Sequence, residues 1–113
     1  MSIQEKSEEF AILIAKYYLT LKKQKYYEIA SQIFRSWTSI WANISEAQFW
    51  CSRKDFINKM NIALKESKET LFWLNTSSKW LAQNCYELHI KCEEIIKILV
   101  TIIKRTKENS KIQ

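Results

Sequence analysis

Three residues with metal-ligand chemistry fall on one predicted helix. Cys85, His89 and Cys92 stand at positions i, i+4 and i+7, which places two thiols and an imidazole on one helix face. All three are zinc ligands, but a structural zinc site needs four, and its cysteines usually stand two to four residues apart on loops. We therefore interpret the cysteines as buried thiols beside a partly buried histidine. We expect no metal, no cofactor and no metal requirement for folding.

The same helix face does not assemble a catalytic pair. A cysteine and a histidine within one helix lack a third group that orients the imidazole, and they lack an oxyanion hole. Four glutamates could resemble the carboxylates of di-metal bundles, but the Glu-x-x-His motif of those proteins does not occur around His89. We interpret these carboxylates as solvated: Glu66, Glu69, Glu93 and Glu94. The sequence therefore predicts a protein that is not an enzyme.

The chain contains no glycine and no proline. Phosphate-binding loops of the P-loop type need glycine, so nucleotide hydrolysis by that route is excluded. Tight β-hairpins usually need glycine at positive φ, which makes a β-sandwich or a β-barrel a poor fit. Long helices joined by a few polar loops can form without either residue.

Basic residues outnumber acidic residues by 18 to 12, which gives a formal net charge of +6. This surplus suits an anionic partner such as nucleic acid, and it also suits solubility alone. Two local clusters are the candidate nucleic-acid-binding residues: Lys22, Lys23 and Lys25 after the first predicted helix, and Lys104, Arg105 and Lys107 near the end of the chain. The sequence does not choose between them.

Four segments have the apolar period of amphipathic helices. They are approximately Ile3–Lys23, Tyr26–Glu46, Arg53–Gln83 and Cys85–Lys107. Ser52 and Asn84 are the expected caps of the last two segments. Because short connections place neighbouring helices antiparallel, we predict an all-α, antiparallel up-and-down four-helix bundle. Residues 1–113 are expected to form a single domain. Within the third helix, we expect i,i+4 ion pairs between Asp55 and Lys59 and between Lys65 and Glu69.

The second predicted helix has two apolar faces, although a bundle helix needs only one. Its additional face contains Phe34, Thr38 and Trp41. A second apolar face favours contact with another subunit, so Phe34 and Trp41 are the candidate oligomer-interface residues. The helical spacing of four tryptophans favours the core or a subunit interface over stacking on bases: Trp37, Trp41, Trp73 and Trp80.

Charged residues interrupt every apolar stretch before about 18 residues accumulate, so no membrane span is expected. The N-terminal sequence MSIQEKSEEF is polar and acidic, unlike a signal peptide. We therefore expect a cytoplasmic protein in which Cys51, Cys85 and Cys92 are reduced thiols.

Two central stretches resemble the four-helix bundle proteins of the 23S ribosomal RNA intervening-sequence type. They are residues 31–46 (SQIFRSWTSIWANISE) and residues 62–74 (IALKESKETLFWL), and residues 92–109 resemble the last helix of that family. The family usually has proline where Trp41 stands and glycine where Ala47 stands, and the loop between the first two helices is shorter here. The resemblance implies a homopentamer of four-helix bundles.

The family is distantly similar in fold to the accessory variability protein of diversity-generating retroelements, which binds a reverse transcriptase and nucleic acid. Two functions are therefore expected. The first is a non-catalytic oligomer that binds nucleic acid, RNA before single-stranded DNA, through distributed phosphate contacts. The alternative is a protein-interaction scaffold, such as an accessory subunit of a reverse transcriptase in a retroelement. No motif marks the residues of that contact, so none is carried over to this chain.

Overall fold

Four helices account for most of the chain. The computed structural model describes the backbone of residues 1–49 and 52–112 and the side chains of residues 1–49 and 52–109. The helices are α1 (Ile3–Lys23), α2 (Tyr27–Ala47), α3 (Arg53–Trp80) and α4 (Tyr86–Ile112). Each packs on its neighbours in sequence, and α1 also packs on α4, which completes the four-helix bundle. The predicted all-α fold is confirmed.

Side-chain caps fix the starts of two helices. The Ser2 hydroxyl accepts the Glu5 backbone N–H at 3.1 Å, and the Glu5 carboxylate accepts the Ser2 backbone N–H at 3.3 Å. This reciprocal pair is a capping box at the start of α1. At the start of α3, the Ser52 hydroxyl accepts the Asp55 backbone N–H at 3.1 Å, as the sequence predicted.

The boundaries of α3 and α4 differ from the predicted ones. The helix α3 ends at Trp80, three residues early, because Ala82 adopts a left-handed backbone conformation with φ 53°. The helix α4 starts at Tyr86 and continues to Ile112, five residues beyond the predicted end. Asn84 precedes α4 by two residues, and its side-chain oxygen accepts the Tyr86 N–H at 3.4 Å.

The core combines large aliphatic side chains from all four helices with a polar strip on α3. The fully buried aliphatic and methionine side chains include Ile14, Leu21, Ile33, Ile44, Met60, Leu74, Ile95 and Leu99. The buried face of α3 also contains Ser67, Thr70 and Ser77. The Thr70 hydroxyl donates to the Ser36 hydroxyl of α2 at 2.8 Å, so this buried polar pair is satisfied between helices.

Two ion pairs set the register of α1 against α4. Lys6 contacts Glu94, and Glu9 contacts Lys91, so the first turns of α1 lie beside the second and third turns of α4. The helix α4 extends 18 residues beyond Glu94, which is about 27 Å at 1.5 Å per residue. Its C-terminal part therefore projects beyond the start of α1.

Within residues 1–49 and 52–112, none of the helices combines the length and the apolar character that a membrane span requires.

Candidate nucleic-acid interface

The turn between α1 and α2 meets the turn between α3 and α4 at one end of the bundle, hereafter the two-turn end. The Gln83 side-chain amide donates to the Gln24 side-chain oxygen at 2.8 Å and links the two turns directly. A cleft of about 310 Å³ is lined by Lys25 and Tyr27 on one side and by Trp80 on the other. Residues far apart in sequence thus form one surface.

Left-handed residues shape both turns. In the absence of glycine, Lys25 (φ 69°) and Ala82 (φ 53°) take this conformation. At the end of α1, the Tyr26 N–H donates to the Leu21 carbonyl and the Lys25 N–H donates to the Lys22 carbonyl, both at 2.9 Å. This is a Schellman motif, in which the left-handed position is usually glycine.

The two-turn end carries an excess of positive charge. Four exposed lysines lie there: Lys22, Lys23, Lys25 and Lys79. Two carboxylates at this end, Glu28 and Glu87, leave a net charge of +2. Among the described side chains, none of these lysines is paired with a carboxylate. The Lys22 ammonium instead lies 5.2 Å from the centre of the Tyr18 ring, within cation–π range.

Exposed aromatic side chains accompany these lysines. Trp80 is 81% exposed, Tyr86 74%, Tyr27 57% and Tyr26 36%. The sequence placed Trp80 in the core or at a subunit interface. It lies outside the core of the bundle, and the interface stays a prediction. Bases can stack on exposed aromatic rings while lysines contact the phosphates. The two-turn end therefore offers both contacts that single-stranded nucleic acid uses.

The second basic cluster has a different setting. Lys104, Arg105 and Lys107 are exposed on the projecting part of α4, beyond the start of α1. They also have no carboxylate partner among the described side chains. Toward this end of the described chain, the one exposed aromatic side chain is Phe49. The cluster thus offers phosphate contacts with less aromatic surface nearby.

The outer face of α2 carries a regular aromatic stripe, hereafter the α2 seam. Tyr27, Phe34 and Trp41 recur every seven residues, with Phe34 49% and Trp41 43% exposed. Phe34 packs on Tyr18 of α1 at 5.0 Å between ring centroids, and Trp41 packs edge-on to Trp37 at 6.0 Å. A hydroxyl residue stands four positions after each aromatic residue: Ser31, Thr38 and Ser45. Sequence reasoning missed Tyr27, although its seven-residue spacing from Phe34 is the signal of a helix-packing seam.

The two described cysteines are core residues. The Cys85 thiol donates to the Leu74 carbonyl at 3.2 Å, and the Cys92 thiol donates to the Ser67 carbonyl at 3.4 Å. Burial raises the pKa of both thiols, that of Cys92 to about 12. Cys51 lies outside the described residues.

The histidine and the glutamates have separate partners. His89 Nδ1 lies 3.0 Å from Glu93 Oε1. Among the described residues, no three His, Cys, Asp or Glu side chains lie close enough together to bind a metal ion. The four glutamates also contact basic side chains: Glu66 and Glu69 contact Arg35, Glu93 contacts His89, and Glu94 contacts Lys6. Glu69, Glu93 and Glu94 stay partly exposed, as expected for solvated carboxylates, whereas Glu66 is largely covered.

Arg35 joins α2 to α3 because it contacts Glu66 and Glu69. Burial raises the pKa of Glu66, whereas the hydrogen bond from Arg35 lowers the pKa of Glu69. Lys59 similarly contacts Glu46 of α2 at 2.7 Å. The i,i+4 pairs predicted for Lys59 and Glu69 are thus replaced by pairs between helices.

The chain matches the family described as 23S rRNA-intervening sequence protein over residues 1–101. It belongs to this family. A crystal structure at 1.70 Å resolution of a protein of unknown function, from the S23 ribosomal protein family of Bacteroides thetaiotaomicron, is 43% identical to this chain. The two superpose with a TM-score of 0.87 over 91% of this chain and 99% of that one. A search of curated proteins found no match.

In this member of the 23S rRNA-intervening sequence family, only one of the two basic clusters lies within the residues that match the family. The two-turn end lies within residues 1–101, whereas Lys104, Arg105 and Lys107 lie beyond them. The resemblance predicted from residues 31–46 and 62–74 is confirmed. The link to a retroelement reverse transcriptase stays a prediction.

Proposed function

We propose that this member of the 23S rRNA-intervening sequence family is a non-catalytic, cytoplasmic homo-oligomer that binds single-stranded nucleic acid, RNA before DNA, at its two-turn end. One observation carries the proposal. Four lysines that have no carboxylate partner among the described side chains share that end with four exposed aromatic side chains.

In this proposal the lysines contact the phosphates and the aromatic rings stack on the bases. Lysines that neutralise phosphates release counterions, so affinity falls as salt rises. Stacking of a base on an aromatic ring contributes about 1–3 kcal/mol and tolerates any base. This combination gives binding with weak sequence preference.

Oligomerisation multiplies a modest charge. One copy presents a net charge of only +2 at the two-turn end, so a single chain binds weakly. In the homopentamer that the family resemblance implies, five chains of charge +6 carry about +30 in total. A strand that touches several copies releases counterions at each of them.

The α2 seam supports the oligomer. Its aromatic side chains are half exposed on one face of one helix, and burying a side chain of this size contributes on the order of 2 kcal/mol. The alternating large and hydroxyl residues suit packing against another helix.

The reactive groups of the described residues support a function without catalysis. Cys85 and Cys92 are buried thiols with raised pKa values, and thiols are poor nucleophiles until they lose their proton. The single imidazole, that of His89, lies against Glu93.

A salt titration tests the proposal. Fluorescence anisotropy is measured with a labelled RNA and a single-stranded DNA of about 20 nucleotides, with duplex DNA of the same length as the control. We expect binding of both single strands at about 50 mM salt, a linear fall of log affinity with log salt, and weaker binding of the duplex. Failure to bind either single strand at this salt would leave the protein-interaction scaffold, an accessory subunit of a reverse transcriptase, as the function.

A further inference from the structure

A cleft without lysine, arginine or carboxylate side chains opens between the last turns of α3 and the start of α4, beside the two-turn end. Its volume is about 320 Å³. Six polar side chains line it, and together they are named the amide cleft: Asn75, Ser78, Gln83, Asn84, Tyr86 and His89. None of them is a lysine, an arginine or a carboxylate, although four lysines lie at the same end of the bundle. The cleft therefore suits an uncharged polar ligand next to a positively charged surface.

We propose that the amide cleft binds a nucleobase of the strand whose phosphates contact the two-turn end. This inference rests on the proposed function and adds base recognition to it. The edge of a nucleobase presents neutral hydrogen-bond donors and acceptors, and the side-chain amides of asparagine and glutamine present both. A phosphate or a carboxylate is better matched by lysine and arginine side chains, and none of these lines the cleft.

The free hydrogen-bonding groups of the cleft favour this ligand. The side chains of Asn75 and Ser78 are exposed and form no hydrogen bond with the described residues. Asn84 uses its side-chain oxygen to accept the Tyr86 N–H, which leaves its amide hydrogens for a ligand. Tyr86 is 74% exposed at the edge of the cleft, where its ring can stack on a base.

One wall of the cleft is held in place by its own hydrogen bonds. The Gln83 side-chain nitrogen contacts the Gln24 side-chain oxygen at 2.8 Å and the Leu81 carbonyl at 2.9 Å. The Gln83 backbone N–H donates to the Ser77 carbonyl at 3.3 Å. These contacts fix Gln83 and leave its side-chain oxygen as an acceptor, so the wall needs little ordering when a base enters.

The size of the cleft is consistent with one nucleoside. Small-molecule sites have volumes of about 300–1,000 Å³, and the amide cleft lies at the lower end of this range. A single base with its sugar is therefore a better match than a larger cofactor.

The test compares a base-containing DNA strand with an abasic strand that has the same length and the same number of phosphates. Two variants, Asn75→Ala and Ser78→Ala, each remove one free polar group from the cleft. Asn61→Ala is the matched control, since Asn61 is an exposed asparagine of α3 four turns toward the other end. Circular dichroism confirms that each variant retains its helices.

We expect the wild type to bind the base-containing strand about tenfold more tightly than the abasic strand, a factor that one or two hydrogen bonds and a stacking contact supply. Asn75→Ala and Ser78→Ala should each reduce this ratio at least threefold and leave the affinity for the abasic strand unchanged, and Asn61→Ala should change neither. Unchanged ratios in both cleft variants, with the strands still bound, would overturn the amide cleft and leave phosphate binding intact. Absence of binding to both strands would overturn the proposed function and the cleft together.

Discussion

The hydroxyl of Tyr17 is a polar group buried inside the bundle. Tyr17 faces Ser77 of α3 and Cys85 at the start of α4, yet its oxygen reaches no hydrogen-bond partner among the described residues at acceptable geometry. Burial raises the pKa of Tyr17 to about 12. The native state therefore favours the protonated phenol.

The raised pKa of Tyr17 predicts a loss of stability in alkali. Below pH 10 the phenol is protonated in both states, and between pH 10 and pH 12 the unfolded chain releases its proton while the native state keeps it. The free energy of unfolding should therefore fall through this range, starting near pH 9 because the Cys92 thiol behaves in the same way.

The comparison is Tyr17→Phe against the wild type, by urea unfolding at pH 8, pH 9.5 and pH 11. The substitution removes a hydroxyl without a partner, so we expect little change at pH 8 and a shallower fall at high pH. Equal slopes for the two proteins would show that Tyr17 does not contribute.

The sequence predicted the burial of single residues better than it predicted which residues form ion pairs. Cys85 and Cys92 were predicted to be buried thiols, and they are. Lys59 and Glu69 were assigned partners within α3, but both contact α2. The pairing depends on the register between the helices, and the spacing of charges along one helix carries no information about that register.

The turns at the two-turn end contain strained backbone because the chain has no glycine. A left-handed conformation is unfavourable for residues with a Cβ by roughly 1–2 kcal/mol. Both Lys25 and Ala82 adopt it because the chain has no glycine to place there. The tight turns persist because helix packing and the contact between Gln24 and Gln83 hold them.

Replacing the alanine at the second turn should stabilise the protein. Ala82→Gly relieves the left-handed strain, and we expect the free energy of unfolding to rise by about 1 kcal/mol. Ala15→Gly is the matched control, since Ala15 is exposed in the middle of α1 and the same substitution should cost about 1 kcal/mol there. Urea unfolding measures both, and destabilisation by Ala82→Gly would contradict the assignment of strain.

Some helix boundaries could be predicted from the sequence and others could not, depending on whether a residue marks the boundary. The start of α3 followed from Ser52, and the limits of α1 followed from its apolar period. The end of α3 did not, because Leu81 continues the apolar period beyond Trp80 while the break comes from the backbone of Ala82. Thr70 was also missed as a core residue, since the sequence of α3 does not show that Ser36 of α2 faces it.

At the scale of the whole molecule, the α2 seam and the charges at the ends define the proposed assembly. The seam could be predicted in part, because Phe34 and Trp41 stood outside the core-facing stripe. The choice between the basic clusters could not, since it depends on which exposed aromatic side chains the fold brings beside the lysines. Trp80 joins Lys25 only through the meeting of two turns.

A charge in the α2 seam should separate the subunits. Phe34→Glu places a carboxylate where the proposal has an apolar interface, so we expect dissociation of a pentamer of about 68 kDa into chains of 13.6 kDa at tens of micromolar, measured by light scattering. Phe72→Glu is the matched control, because Phe72 is similarly exposed and also packs on one aromatic neighbour at 5.0 Å.

Both variants should keep the helical signal of the wild type. Persistence of the oligomer in Phe34→Glu, or its loss in both variants alike, would place the interface elsewhere. A monomeric wild type would refute the oligomer itself.

The central claim is that the two-turn end binds the nucleic acid, and a pair of charge-matched variants tests it most directly. One carries glutamine at positions 22, 23 and 25, and the other carries glutamine at positions 104, 105 and 107, so each loses three positive charges. The affinity for single-stranded RNA is measured by anisotropy as a function of salt. We expect the first variant to bind at least tenfold more weakly at about 50 mM salt with a shallower salt dependence, and the second to stay within about twofold of the wild type. Equal losses in the two variants, or a greater loss in the second, would contradict the assignment of binding to the two-turn end.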